Sequence, residues 1–275
     1  MPDVHLLDLD AYRQRIGFVG ALAPTLDVLR HLAEHHARTI PFENLSVLLG
    51  HGVDLSVPAL EQKLVHDRRG GYCFEQNGLM LAVLRQIGFD VTPLAGRVRL
   101  EQPRTYLPPR THLFLSVDIE GEAWIFDVGV GAYSLTSPIR RHAEGEQPTL
   151  HETRRVLPEE GKFFHQVLRG DEWIDVYEFT GEIMTPIDAE VGNWWTSTSP
   201  RSKFSQNLVC ARSADNGERM AIANDRFLRR KGGAIVEDVT LTSADHILDI
   251  LDERFGIQMP PRTRFGSGPR PWPTV

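Results

Sequence analysis

Cys73 stands in Arg68-Arg69-Gly70-Gly71-Tyr72-Cys73-Phe74-Glu75-Gln76-Asn77-Gly78, a glycine-rich stretch that opens a strongly apolar segment. From Phe74 onward Leu79, Met80, Val83, Leu84 and Ile87 recur at helical spacing and stop at Gly88, so the cysteine is expected at a helix N-terminus. Free backbone N–H groups and the positive end of the helix dipole favour the thiolate there, which is the nucleophilic form. An unpaired cysteine is more often a small buried hydrophobe. Nucleophilic chemistry therefore needs a second residue that takes a proton.

The best partner lies in Arg110-Thr111-His112-Leu113-Phe114-Leu115-Ser116-Val117-Asp118-Ile119, followed by Glu120-Gly121-Glu122 and then Ala123 to Gly129. This reads as two strands joined by a tight turn at Glu120-Gly121. Pairing Ile119 with Glu122 puts Phe114 opposite Asp127 and His112 two residues along on the same face, so ring and carboxylate become diagonal neighbours. A loop one residue longer would send them to opposite faces. In the first register Asp127 orients one imidazole nitrogen while the other faces Cys73, the logic of a Cys-His-Asp triad. The alternative is a solvated histidine starting one strand and a solvated aspartate ending the other.

Arg69-Gly70-Gly71-Tyr72-Cys73-Phe74-Glu75-Gln76-Asn77, then Arg110-Thr111-His112, then Asp127-Val128-Gly129 closely resemble the arylamine N-acetyltransferases. Pro41-Phe42-Glu43-Asn44-Leu45 resembles an early motif of that family and Phe204-Ser205-Gln206-Asn207 a late one, so the likeness runs from about Tyr12 to Pro260. The resemblance implies an α+β fold with a cysteine-protease-like Cys73-His112-Asp127 triad. An N-terminal helical bundle (1–89) would carry the cysteine, a central antiparallel β-barrel (90–195) the histidine and aspartate, and an α/β lid (196–275) would follow. It also implies a ping-pong transfer of acetyl from acetyl-CoA to the nitrogen of an arylamine, arylhydrazine or N-arylhydroxylamine. Acetyl-CoA would be a co-substrate, with no tightly bound cofactor and no metal. Phe42, Val98, Val130 and Phe204 would line the acceptor pocket, and Glu43 would pair with Arg69 beneath the catalytic loop. Apart from the resemblance, Gly129 and Gly131 would let the backbone approach CoA closely, and Lys231 in its basic cluster would meet the CoA charge. The family commonly has phenylalanine between those two glycines; Val130 is smaller and leaves a wider pocket. The Cys73 N–H is the candidate oxyanion donor. A macrolactam-forming or other-acyl relative, a cysteine hydrolase and a binding protein with an inactive triad share these residues and stay open.

Composition agrees. A chain of 275 residues can bury a sizeable core, and 41% hydrophobic with 24% charged residues is ordinary for a soluble protein. A net charge of −7 argues against a nucleic-acid partner. No run of about 18 apolar residues and no charged-then-apolar leader is present, so neither a membrane span nor a signal peptide is expected. Two cysteines make no disulfide framework, and a nucleophilic thiol needs a reducing compartment, which points to the cytoplasm. An acidic protein that holds CoA needs local cations. Arg97 and Arg99, Arg140-Arg141, and Arg229-Arg230-Lys231-Gly232-Gly233 are the candidates.

Along the chain, Leu9 to Ile16 and Thr25 to His36 read as helices, with Pro24 in the first turn of the second. His35 and His36 are adjacent, about 100° apart on a helix, and fit a solvated helix end better than a metal site. Ser56 to Asp67 is a third helix with Ser56 as cap. Strands follow at Asp90 to Leu100, in the His112 hairpin, and at Thr153 to Leu157, Lys162 to Arg169 and Glu172 to Phe179; such a series suits a small barrel or sandwich. The proline-rich stretch Glu101 to Pro109 is a loop. Ile183 to Asn193 is a weaker helix, Trp194-Trp195 an aromatic pair for packing, and Thr196 to Pro200 a linker. Asn216-Gly217 marks a hairpin with Cys210 in the core, Ser243 opens a last helix ending at Phe255-Gly256, and the chain beyond Pro260 reads as irregular.

Overall fold

The chain begins with helices because its apolar residues recur every three or four positions between capping signals. A computed structural model describes residues 6–265, so most of the irregular tail lies outside the described residues. α1 (Leu9–Ile16) is capped by the Asp8 carboxylate and ends at Gly17 with φ 68°. α2 (Leu26–Thr39) starts after Thr25, whose hydroxyl accepts from the Val28 N–H. Pro24 therefore precedes the cap and is not in the first turn, because the threonine oxygen satisfies an amide that nothing else would. β1 (Phe42–Glu43) and α3 (Leu45–Leu48) follow. α4 (Val57–Glu61) runs into a π-helical turn at Gln62–His66, which interrupts the regular helix expected there. Ser56 occupies the cap position without a side-chain hydrogen bond to the helix. The Asp67 N–H closes on the Gln62 carbonyl at 2.8 Å, a wide turn that delivers Arg68 in the left-handed region at φ 55°. α5 (Cys73–Ile87) starts at the cysteine and ends at Gly88, φ 101°.

Strand periodicity then takes over. β2 (Asp90–Val98), β3 (His112–Ile119), β4 (Glu122–Phe126), β5 (Ile139–Arg140), β6 (Gln147–Pro148), β7 (Thr153–Glu159), β8 (Lys162–Arg169) and β9 (Glu172–Ile183) form one antiparallel sheet. Its order is β5-β4-β3-β2-β9-β8-β7-β6. The sheet curls until its two edges approach, and the Gln147 side chain spans the gap. Its amide donates to the Arg140 carbonyl at 2.9 Å and its oxygen accepts from the Arg140 N–H at 2.7 Å, as a paired strand would. Glu120 (φ 56°) and Gly121 (φ 82°) make the two-residue turn that the sequence requires, and Ile119 pairs with Glu122. The register expected from the turn is the register found.

α6 (Pro186–Thr198), α7 (Lys203–Gln206), β10 (Val209–Ser213), β11 (Glu218–Ala223), β12 (Arg226–Lys231), β13 (Ala234–Thr240) and α8 (Ala244–Phe255) complete the chain. α6 absorbs most of the expected linker. The Ser197 and Thr198 hydroxyls bond back to the carbonyls of Asn193 and Trp194 at 2.8 and 2.5 Å, so they cap nothing and the helix continues. Trp194, expected to pack, is 66% exposed, while Trp195 is half-buried. The second sheet has the order β1-β10-β11-β12-β13, so a strand from the helical third pairs with the C-terminal one. Cys210 is fully buried there, and burial pushes its thiol well up.

Three apolar clusters fill these layers. One joins the helices to the outer face of β3 and β4 through Leu79, Met80, Leu115, Val117 and Phe126. A second fills the barrel, and a third sits between the five-stranded sheet, α3 and α8. A fourth, smaller cluster lies where all three meet: Phe42, Tyr72, Cys73, Phe74, Ala95, Leu113, Met184 and Ala211. Each large side chain so buried contributes about 1.5–3 kcal/mol. No described helix is long and apolar enough to cross a membrane.

Candidate active site

The loop before α5 is held from every side. Glu75 accepts from the Tyr72 N–H at 3.0 Å and from Lys63 Nζ at 2.5 Å, which caps the helix that Cys73 begins. Gln76 donates to the carbonyls of Pro41 and Gly71 at 2.7 and 3.2 Å, and its oxygen lies 2.6 Å from His36 Nε2. Because both amide hydrogens are spent on carbonyls, the oxygen accepts and His36 Nε2 carries the proton. This overturns the solvated reading of His36. The ring is fully buried, meets the Tyr12 hydroxyl at Nδ1 (3.0 Å), and burial pushes its pKa down to about 4. The sequence hides this because the partner sits 40 positions away.

Cys73, 4% exposed, places its sulfur 3.6 Å from the Thr111 carbonyl oxygen. The neighbouring His112 is 1% exposed, and its Nε2 lies 2.8 Å from Asp127 Oδ2. The same imidazole interacts with the Cys73 side chain. Burial alone would strip the ring of charge; the Asp127 carboxylate and the sulfur outweigh it and push the pKa up to about 10. Asp127 is itself fully buried and fixed on its other oxygen by Asn77 Nδ2 (2.8 Å) and the Gly129 N–H (2.9 Å). Asn77 also bonds the Leu113 carbonyl and the Val128 N–H, at 2.7 and 3.1 Å, so one side chain ties α5 to both strands of the hairpin. Tyr177 covers the imidazole at 4.9 Å between centroids, its phenol pushed well up by burial and by the adjacent Asp127 charge. The loop packs so closely on the helix that a Cβ at Gly129 would lie 2.6 Å from Asn77 Nδ2 and 2.9 Å from the Cys73 Cα.

The remaining sequence-derived residues divide into two sets. Glu43, fully buried, accepts at Oε1 from Arg69 Nε (3.1 Å) and Nη2 (2.7 Å), while Oε2 takes the Leu45 N–H at 2.6 Å. Phe42 and Phe204 face each other at 5.8 Å, and Gly131 lies against the Phe42 ring. Val98 pairs with Tyr177, two residues from the Gly96–His112 pair. Val130 turns into the barrel core with Leu94, Phe114 and Leu135. Lys231 belongs to the second set: it ends β12, half-exposed, 4.0 Å from Glu218, with no described contact to the cysteine. Two of the candidate cations are already engaged by other groups, Arg99 inside the fold and Arg229 at its surface. Arg99 is 2% exposed and holds the carbonyls of Tyr106 and Pro103, and Arg229 is paired with Glu218 and Glu237. Sequence reasoning missed Asn77, Gln76, Tyr177 and Asn44. Asn77 carried a signal, because it stands four residues after Cys73 on the same helix face. Asn44 donates to the carbonyls of Phe204 and Asn207, both at 2.7 Å, and so holds the late aromatic beside Phe42.

Known proteins share this arrangement of sequence and fold. A family model described as N-acetyltransferase matches residues 25–264. The chain is 44% identical over 257 residues to an arylamine N-acetyltransferase of Mycobacterium tuberculosis, covering 92% of this chain and 90% of the relative. It is 40% identical over 249 residues, 90% and 88% of the two chains, to an arylamine N-acetyltransferase / N-hydroxyarylamine O-acetyltransferase of Salmonella typhimurium. Among solved structures it resembles the Mycobacterium marinum arylamine N-acetyltransferase in complex with CoA, with a TM-score of 0.87 at 39% identity, covering 91% of this chain and 93% of that one. The enclosed thiol, imidazole and carboxylate thus stand on the fold these acyltransferases share, and the chain belongs to the arylamine N-acetyltransferase family.

Proposed function

We propose that the protein transfers acetyl from acetyl-CoA to the nitrogen of arylamines, arylhydrazines or N-arylhydroxylamines in two steps through an acetyl-cysteine. The observation that carries this reading is one buried imidazole that interacts with Cys73 while bonded at 2.8 Å to Asp127. A protonated ring beside a thiol is the setting in which sulfur acts as thiolate. The Cys73 sulfur attacks the thioester carbonyl, the new S–C bond forms, and the CoA thiolate leaves with the proton from His112. The acceptor nitrogen then attacks the acetyl-cysteine, gives its proton to His112, and the cysteine sulfur departs. The Cys73 N–H is the proposed oxyanion donor. Phe42, Val98 and Phe204 form the acceptor pocket, with Val130 shaping it from the barrel core behind; Gly129, Gly131 and Lys231 meet CoA, and Glu43 with Arg69 supports the loop. The three-part division at about residues 89 and 195, action on foreign amines and a cytoplasmic setting belong to the same reading. The M. marinum relative's complex with CoA supports the choice of donor. Intact-mass analysis after brief mixing with acetyl-CoA alone tests it. An acetyl adduct absent from Cys73→Ser and discharged by an arylamine is expected. A thiol that alkylates rapidly yet gains no adduct would sink it in favour of another acyl donor, and free acetate without any amine would point to a hydrolase.

A further inference from the structure

A row of buried polar side chains crosses the barrel from His112 to Arg154. Val156, His165, Tyr177 and Val98 are successive partners across β7, β8, β9 and β2, so their side chains share one face. Arg154 lies two residues before Val156 on that face, and His112 stands opposite Gly96, two residues before Val98. The row is continuous. His112 meets Tyr177 at 4.9 Å and Tyr177 meets His165 at 4.7 Å between ring centroids, and His165 Nε2 lies 3.4 Å from Arg154 Nη1. None of the four is more than 1% exposed. A guanidinium only donates, so His165 Nε2 accepts and its Nδ1 carries the proton.

Arg154 brings more charge than its surroundings cancel. Among the described residues one carboxylate pairs with it: Glu152, at 2.9 Å from Nη2, which also accepts from Arg219 Nη2 at 2.8 Å. Two guanidiniums against one carboxylate leave one positive charge in excess, and arginine keeps its proton even where burial disfavours the charge. His151, His165 and Tyr177 also face this cluster, and burial holds all three neutral. The triad has the opposite imbalance. With His112 protonated and Asp127 ionised it carries no net charge while Cys73 keeps its proton, and one negative charge once the thiolate forms. We propose that Arg154 is a positioning residue of the reaction, acting through the ring row: its excess charge balances the negative charge that the site gains with the thiolate. The whole row is buried, so little water screens one end from the other. The inference rests on the triad reading of the proposed function.

The pH dependence of Cys73 alkylation by iodoacetamide, followed by peptide mapping on the full chain, tests this without any acyl donor. Arg154→Met keeps the side-chain length and leaves Glu152 paired with Arg219. The midpoint of its profile should rise by about one pH unit, roughly tenfold less thiolate at a given lower pH. Glu152→Gln removes the opposing charge, so its midpoint should fall, and Arg154→Lys should stay near the wild type. Arg219→Met takes the same unit of charge from the edge of the cluster, should move the midpoint as Arg154→Met does, and carries the test if that variant does not fold. A folded Arg154→Met with the wild-type midpoint overturns the proposal and leaves the cluster a structural tie. Midpoints of Arg154→Met and Glu152→Gln that move in the same direction overturn it as well, since a charge effect requires opposite signs. A wild type whose Cys73 alkylates no faster at pH 6 than a model thiol overturns the triad reading itself, and the proposal with it, before any variant is compared.

Discussion

His112 is enclosed, and although burial works against its charge, the flanking Asp127 and Cys73 side chains push its pKa up. Its pKa rises on folding from about 6.5 to about 10, so the stabilisation it brings is fully present below about pH 6.5 and is lost as pH rises through 10. Thermal midpoints of the wild type should therefore fall between pH 6.5 and 10 more steeply than those of His112→Gln; parallel profiles would show that the ring is neutral in the folded protein. Asp127→Asn keeps the shape but replaces the charge that orients the ring. We expect kcat/KM to drop on the order of 10³-fold or more, with the Cys73 alkylation rate at pH 6 falling alongside it. Both residues were readable from the sequence because one turn fixed the register of one hairpin. His36 was not, since its environment is set by Gln76 and Tyr12 from two other helices.

At the scale of elements, the site depends on how closely the segment after β4 approaches the start of α5. Gly129→Ala inserts a methyl 2.9 Å from the Cys73 Cα, and backbone cannot swing aside as a side chain can. A displacement of about 1 Å at a nucleophile is worth on the order of 10²-fold in rate, so acetylation of Cys73 should slow by that much in stopped-flow mass analysis while far-UV CD stays the same. Val130→Phe acts on the barrel instead. Its side chain is 7% exposed among Leu94, Phe114 and Leu135, so the larger ring overpacks the core and costs about 1–3 kcal/mol by denaturant unfolding. The range of bulky amines accepted should narrow as well, read as kcat/KM across an amine series. Helix periods, glycine stops and the Glu120-Gly121 turn made most elements legible. The end of α6 was misread because serine and threonine look like linker residues, and only the folded helix shows their hydroxyls turned back onto its own carbonyls. The closure of the barrel by Gln147 was equally invisible, since a side chain there does the work of a strand.

Across the whole molecule, the barrel is tied to the second sheet by buried charge. Glu152 accepts from Arg154 Nη2 at 2.9 Å and from Arg219 on β11 at 2.8 Å, and Arg219 also donates to Ser213 on β10 at 2.8 Å. Burial alone would raise the Glu152 pKa; the two guanidiniums reverse that and push it down to about 2. Its contribution is thus present above about pH 4.5 and lost as pH falls through 2, so wild type should lose more stability than Glu152→Gln across that window in acid unfolding. Glu43→Gln breaks a separate tie, between β1 and the loop before α5, leaving Arg69 with a neutral partner, and about 3–5 kcal/mol should be lost in urea unfolding. That tie is also a matter of timing. Asn44 bonds Val209 in both directions across 165 positions, and β1, bridged early to Gly71, gains a strand partner only when β10 exists. As the chain leaves the ribosome, its helices form on local contacts within microseconds, while this distant pairing must wait for most of the polypeptide to be made. Phe204 reaches Phe42 and Tyr72 only at that late step, so the aromatic packing beside the cysteine loop is the last part of the site to close during synthesis.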